Sequence, residues 1–156
     1  MAKKTAAVVR QVSGITFAGK TDTNHWVMID GPEKFGGSGA GTRPKELVLI
    51  ALGGCAASDV VSILRKKRAP LAGCEVRLNA NSKDEHPTVY TDIHMNFVVY
   101  GDGIEPQDVE RAIELSTTKY CAVSAMLKDS VPITHSYRID PAAAFMGTPA
   151  NAEAVA

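Results

Sequence analysis

Glu46-Leu-Val-Leu-Ile-Ala-Leu-Gly-Gly-Cys-Ala-Ala-Ser-Asp-Val-Val-Ser-Ile-Leu64 is the stretch on which the reading of this chain turns. It lacks a turn signal strong enough to break it, and Pro44 just before it suits the first helical position, where a missing N–H costs nothing. The pattern predicts one long helix from Pro44 to about Lys67, ended by Arg68-Ala-Pro70. Its apolar residues fall nearly all round the axis, so it needs cover on more than one side. A small domain rarely supplies that alone, and the helix therefore predicts a homodimer. Gly53, Gly54, Ser58 and Asp59 interrupt the run and argue against a membrane span.

Composition narrows the class further. The 156 residues carry 17 basic and 17 acidic side chains and 45% hydrophobic residues, which fits one compact soluble domain with an adequate core. Balanced charge gives no sign of nucleic acid or an anionic membrane as partner. The Met1-Ala-Lys-Lys start leads into no apolar signal segment, so a cytoplasmic protein is expected. Three widely spaced cysteines fit neither a secreted disulfide scaffold nor a zinc motif, and no cofactor or metal is expected. His25, His86, His94 and His135 are scattered without ligand spacing. The basic run Arg65-Lys-Lys-Arg68 stands where a helix end welcomes positive charge.

Outward from the long helix, Thr5 to Val12 and Gly14 to Ala18 read as a hairpin and His25 to Asp30 as a third strand. Gly31 to Gly41 is too glycine-rich for regular structure and reads as a mobile loop. Cys74 to Lys83 and Thr88 to Tyr100 alternate as strands around the turn Asp84-Glu85-His86-Pro87. A helix opens at Glu105-Pro106 and runs to about Ser116, with Val109, Ala112, Ile113 and Leu115 on its inner face. A second helix begins at Cys121 and runs to about Lys128, and a last strand covers Ile133 to Ile139. This order is α+β. The domain is expected over residues 1–140, with an Ala-rich disordered tail over 141–156.

The thiols carry the chemistry. From local context alone Cys55 reads first as a small core hydrophobe and only second as a nucleophile, and Cys121 as its inert neighbour or its resolving partner; the segment match below brings the redox reading level. Cys74, at the start of a strand, reads as structural. Thr42-Arg-Pro-Lys-Glu-Leu-Val-Leu-Ile-Ala-Leu-Gly-Gly-Cys55 with Ser58-Asp-Val-Val61, and Glu114-Leu-Ser-Thr-Thr-Lys-Tyr-Cys121-Ala-Val-Ser124, resemble the two signature segments of the OsmC/Ohr family. The resemblance implies intertwined homodimers with curved antiparallel sheets around two long central helices. It also implies a thiol-dependent peroxidase of oxidative-stress defence, which takes organic hydroperoxides and is restored by a dithiol reductant. Cys55 would be the peroxidatic thiol and Cys121 the resolving one, and Glu46 is carried with them as the nearest carboxylate. Helix-start position and Lys119 suggest a favoured thiolate at Cys121.

One departure stands out. The family's peroxidases place a Pro-Glu pair at this helix start, whose carboxylate holds an arginine over the thiolate. Here Lys45 follows Pro44 and the carboxylate comes one later, at Glu46, about 100° round the helix. The segment before Gly31 has no glycine-flanked arginine, which leaves Lys20, Arg43 or Lys45 as candidate cations. Two other readings therefore accompany the peroxidase: an OsmC-like dimer that binds a hydrophobic or electrophilic ligand, and a structural dimer with inert cysteines.

Overall fold

The computed structural model describes residues 4–147, which divide into two compact units at the Ile50/Ala51 boundary. The N-terminal unit is an antiparallel sheet of β1 (Ala7–Ser13), β2 (Thr16–Thr21) and β3 (Val27–Ile29) in that order. The β1–β2 hairpin turns at Gly14, whose φ of +51° favours glycine, and carries a register shift between Gln11 and Ser13. The three strands match the sequence expectation to within a few residues.

The glycine-rich loop differs from expectation. The buried carboxylate of Asp30 accepts hydrogen bonds from the N–H groups of Gly31, Ser38 and Ala40 and from the Ser38 hydroxyl, at 2.7–3.0 Å. These bonds, led by that from Ala40, hold its carboxyl well below the usual carboxylate range although burial works against them. Glu33–Phe35 form a 3-10 turn, and Thr42 pairs back with β3 through Met28 and Asp30. A Cβ at Gly37 would lie 1.8 Å from the Gly31 carbonyl oxygen, and one at Gly41 2.6 Å from the Met28 backbone. The glycines thus allow close backbone approach in an ordered loop.

Helix α1 (Pro44–Lys66) opens as expected, with Pro44 first. The Glu46 carboxylate reaches back to the Arg43 N–H at 3.1 Å, half of a capping box. By length and composition α1 is apolar enough to cross a membrane, with a mean hydropathy of 2.2 over 18 residues. Leu52, Ala56, Val60 and Leu64 are completely buried, at a spacing of four that makes one stripe. The expected burial on several sides is not met within the chain: Ile50 is 59% exposed, and Gly54, Ser58 and Ser62 are exposed as well.

The C-terminal unit holds the rest of α1 and a second sheet of β4 (Gly73–Ser82), β5 (Tyr90–Tyr100) and β6 (Ile133–Asp140), with β5 central. β4 and β5 form the expected antiparallel hairpin, whereas β6 joins β5 in parallel from Ile93↔Ile133 to Tyr100↔Asp140. A parallel neighbour needs a crossover, and α2 (Pro106–Leu115), a π-helical turn (Ser116–Tyr120) and α3 (Ala122–Leu127) provide it. Val109, Ala112 and Ile113 of α2 are buried as expected, and Leu115 is half-buried. Gly53 of α1 meets Leu78 of β4, where a Cβ would lie 2.7 Å from Leu78 Cδ1. On β5 the alternation Ile93, Met95, Phe97 gives way to continuous burial through Tyr100.

The second cover on β5 comes from a segment expected to lack structure. Residues Ala142–Gly147 form α4, and the Phe145 ring lies 5.3 Å from that of Tyr100 and against Gly73. The tail expected from Pro141 therefore starts with a packed helix, held by Phe145 against Tyr100 and Gly73 and by the Ala142 N–H on Asp102 Oδ1 at 3.3 Å. Positions 148–156 lie outside the described residues.

Candidate thiol site

Cys55 and Asp59 stand four residues apart on α1, so their side chains rise from one face, one turn above the other. The third member arrives through the crossover. Thr117 and Thr118 bond their hydroxyls back to the carbonyls of Ile113 and Glu114, and the chain leaves α2 in a π turn closed by Cys121 N–H on Ser116 O at 2.9 Å. This turn has two consequences. It directs the fully buried Ser116 hydroxyl to Asp59 Oδ2 at 3.0 Å, and it delivers Cys121 as the N-cap of α3, its Sγ accepting from Ser124 N–H at 3.3 Å. The ligand atoms of Cys55, Asp59 and Cys121 all lie within 4.8 Å of one another.

The electrostatics oppose the expected activation of Cys121. Burial pushes its thiol up to about 11; the Ser124 N–H works the other way, while Cys55 and Asp59 add to the rise. Lys119 does not offset this, for its Nζ lies over the Tyr120 ring, 5.2 Å from the centroid. The helix start does supply an N–H to the sulfur, but in a buried site beside a carboxylate that donor is outweighed.

The other sequence candidates are engaged elsewhere. Glu46 pairs with Arg43 at 3.8 Å, and both line a pocket of about 450 Å³ with Gly31, Pro32, Gly39 and Gly41. Nine residues separate Glu46 from Cys55, about two and a half helical turns. Lys20 donates to Asn24 at 2.7 Å and covers the Trp26 ring at 4.9 Å. Lys45 is half-buried at the second position of α1. Cys74 is half-buried in β4, and burial with the neighbouring Glu75 pushes its thiol up to about 11, in keeping with a structural role. His94 is satisfied by Thr134 and Ser136 at 2.8 and 2.9 Å, and Lys67 of the basic run pairs with Asp108 at 2.6 Å.

Asp59 and Ser116 are the residues the sequence reading missed. Asp59 stands in the sequence as an interruption of an apolar helix and inside the Ser58-Asp-Val-Val61 segment, without a role assigned to it; its spacing of four from Cys55 was the available signal. Ser116 carried none, because its place depends on the π turn.

The comparisons agree with this architecture. The model of the family described as OsmC-like protein matches residues 36–136. Protein YhfA of Escherichia coli strain K12 is 41% identical over 133 residues, covering 85% of this chain and 96% of YhfA. The crystal structure of a hypothetical protein from Aquifex aeolicus VF5 superposes with a TM-score of 0.79 at 30% identity, covering 90% of this chain and 98% of that one. The OsmC like protein from Mycoplasma pneumoniae shares the fold at a TM-score of 0.76 and 12% identity, over 90% and 99% of the two chains. With the matched residues spanning both signature segments, the chain belongs to the OsmC-like protein family.

Proposed function

We propose that this protein is a cytoplasmic, thiol-dependent redox protein of oxidative-stress defence that reduces organic hydroperoxides through Cys55 and Cys121. The observation that carries the reading is the meeting of these two distant thiols within 4.8 Å. In the proposed cycle the Cys55 thiolate attacks the distal peroxide oxygen, the O–O bond breaks, and the alkoxide takes a proton to leave as alcohol. Cys55 is then a sulfenic acid. Cys121 attacks its sulfur, water departs, and a disulfide remains. A dithiol reductant reopens the bond by exchange, regenerating both thiols and becoming a disulfide itself.

The surroundings of the pair support a slow reaction. The Glu46 carboxylate is engaged with Arg43, and among the described residues the group clustered with the two thiols is the Asp59 carboxylate. A missing preorganised cation costs on the order of 10²-fold or more in rate. Lys45→Glu alone leaves that deficit in place, since it adds no cation.

The protein is further proposed to act as a homodimer, with the uncovered face of α1 packed on the partner's copy and not on lipid. Asp59 in the helix, held by Ser116, and the completely buried stripe from Leu52 to Leu64 support a core helix. The test of the redox reading is a thiol titration before and after one equivalent of an organic hydroperoxide. Loss of two thiols per chain is expected, with recovery on adding a dithiol. Retention of all three would defeat the reading and favour a ligand-binding or structural dimer.

A further inference from the structure

We propose that Cys55, Asp59 and Cys121 form a binding site for a divalent thiophilic metal ion, best matched by Zn²⁺. Two sulfurs and one carboxylate oxygen are a donor set that suits this borderline cation, and three protein ligands leave a fourth position for water or another ligand. The spacing fits. Zn–S bonds of about 2.3 Å at a tetrahedral angle put two sulfurs about 3.8 Å apart, and here the three donor atoms already lie within 4.8 Å of one another.

The supporting shell is also that of a metal site. Metal-bound groups are commonly oriented by hydrogen bonds to their remaining atoms. Ser116 holds Asp59 through a fully buried hydroxyl at 3.0 Å, and Ser124 N–H holds the Cys121 sulfur at 3.3 Å. Asp59 and Cys55 are half-buried, which leaves a route for the ion, whereas Cys121 is buried. The ligands are the deprotonated sulfurs, so binding of the ion releases the thiol protons to solvent.

The site shares its sulfurs with the proposed redox pair but does not rest on that reading. A disulfide between Cys55 and Cys121 leaves no thiolate for the metal, so the ion binds the reduced protein only. Metal occupancy and disulfide formation exclude each other.

The experiment is a Co²⁺ titration of the reduced full-length protein, followed by its near-ultraviolet thiolate-to-cobalt band, with Zn²⁺ competition against a chromophoric chelator. One ion per chain is expected, with the band lost after oxidation to the disulfide. Asp59→Asn should weaken binding by at least tenfold while circular dichroism and thiol count stay unchanged. Cys121→Ser should lower the band's intensity, and Cys74→Ser should leave it intact. Absence of a thiolate band in the wild-type protein overturns the proposal. So does a titration that Asp59→Asn and Cys121→Ser leave unaltered. Metal binding without hydroperoxide consumption would sink only the redox reading; consumption without metal binding would sink only this one.

Discussion

Ser116 donates its hydroxyl proton to the Asp59 carboxylate over 3.0 Å from a fully buried position, and so fixes an acceptor-only group beside Cys121. A carboxylate held there raises the cost of ionising the thiol. Asp59→Asn retains an oxygen for Ser116 but removes the charge. The expected outcome is a lower Cys121 thiol pKa and several-fold faster alkylation at pH 8, read as a pH–rate profile in a protein lacking Cys55 and Cys74. A profile unmoved or shifted upward would contradict the assigned role of Asp59.

The same burial makes a claim about the resolving step. With its thiol pushed up to about 11, Cys121 is almost wholly protonated at neutral pH, and the thiolate is the attacking form. Disulfide formation after oxidation of Cys55 should accelerate about tenfold per pH unit between pH 7 and 10. Stopped-flow detection of the second step tests this. Cys121→Ser should stop after one oxidation of Cys55 and proceed to over-oxidised sulfur, while Cys55→Ser should consume no hydroperoxide.

Much of this was legible from residue pattern, because long apolar runs and alternation report local structure directly. The six strands and α1 to α3 follow from such runs, and both thiols of the site were named from their settings in the two signature segments. The missed features are those decided by tertiary contact. Gly53 and Gly54 look alike in sequence, as neighbouring interruptions of an apolar run, yet Gly53 faces Leu78 of a strand while nothing lies within 4 Å of a Cβ at Gly54. The parallel pairing of β6, the anchoring of α4 by Phe145 on Tyr100, and the ordering of the glycine-rich loop by Asp30 each depend on a partner distant in sequence. Asp59 belongs with them: its role rests on Ser116 and Cys121, more than fifty residues away in sequence.

The Asp30 carboxylate predicts an acid-sensitive loop. Its folded pKa is held below the unfolded value by hydrogen bonds, led by that from Ala40, so its stabilising effect is present above about pH 4 and is lost as pH falls toward the folded value. Asp30→Asn removes that pH-dependent part. Thermal midpoints measured from pH 2 to 7 should show wild type above Asp30→Asn at neutral pH and the gap narrowing below pH 4. A gap that stays constant through the acid range would show that Asp30 does not act through its charge.

Gly54 offers a separation of chain stability from assembly. A Cβ at Gly54 has open space within 4 Å outside its own stretch of helix, and leucine in a helix interior is favoured over glycine by up to about 1 kcal/mol. Gly54→Leu is therefore expected to leave the single chain folded. On the proposed homodimer, however, Gly54 lies on the uncovered face with Ile50 and Ser58, and a bulky residue there prevents close approach of the partner's helix. Leu64→Ala does the reverse. It empties a completely buried position and should cost about 2–5 kcal/mol of stability while leaving the exposed face unchanged. Sedimentation velocity at low micromolar concentration should give a dimer for wild type and a monomer or an aggregate for Gly54→Leu, and chemical denaturation should single out Leu64→Ala as the variant with the damaged core. A folded wild-type monomer, or a Gly54→Leu protein that sediments as a normal dimer, would remove α1 from the proposed interface.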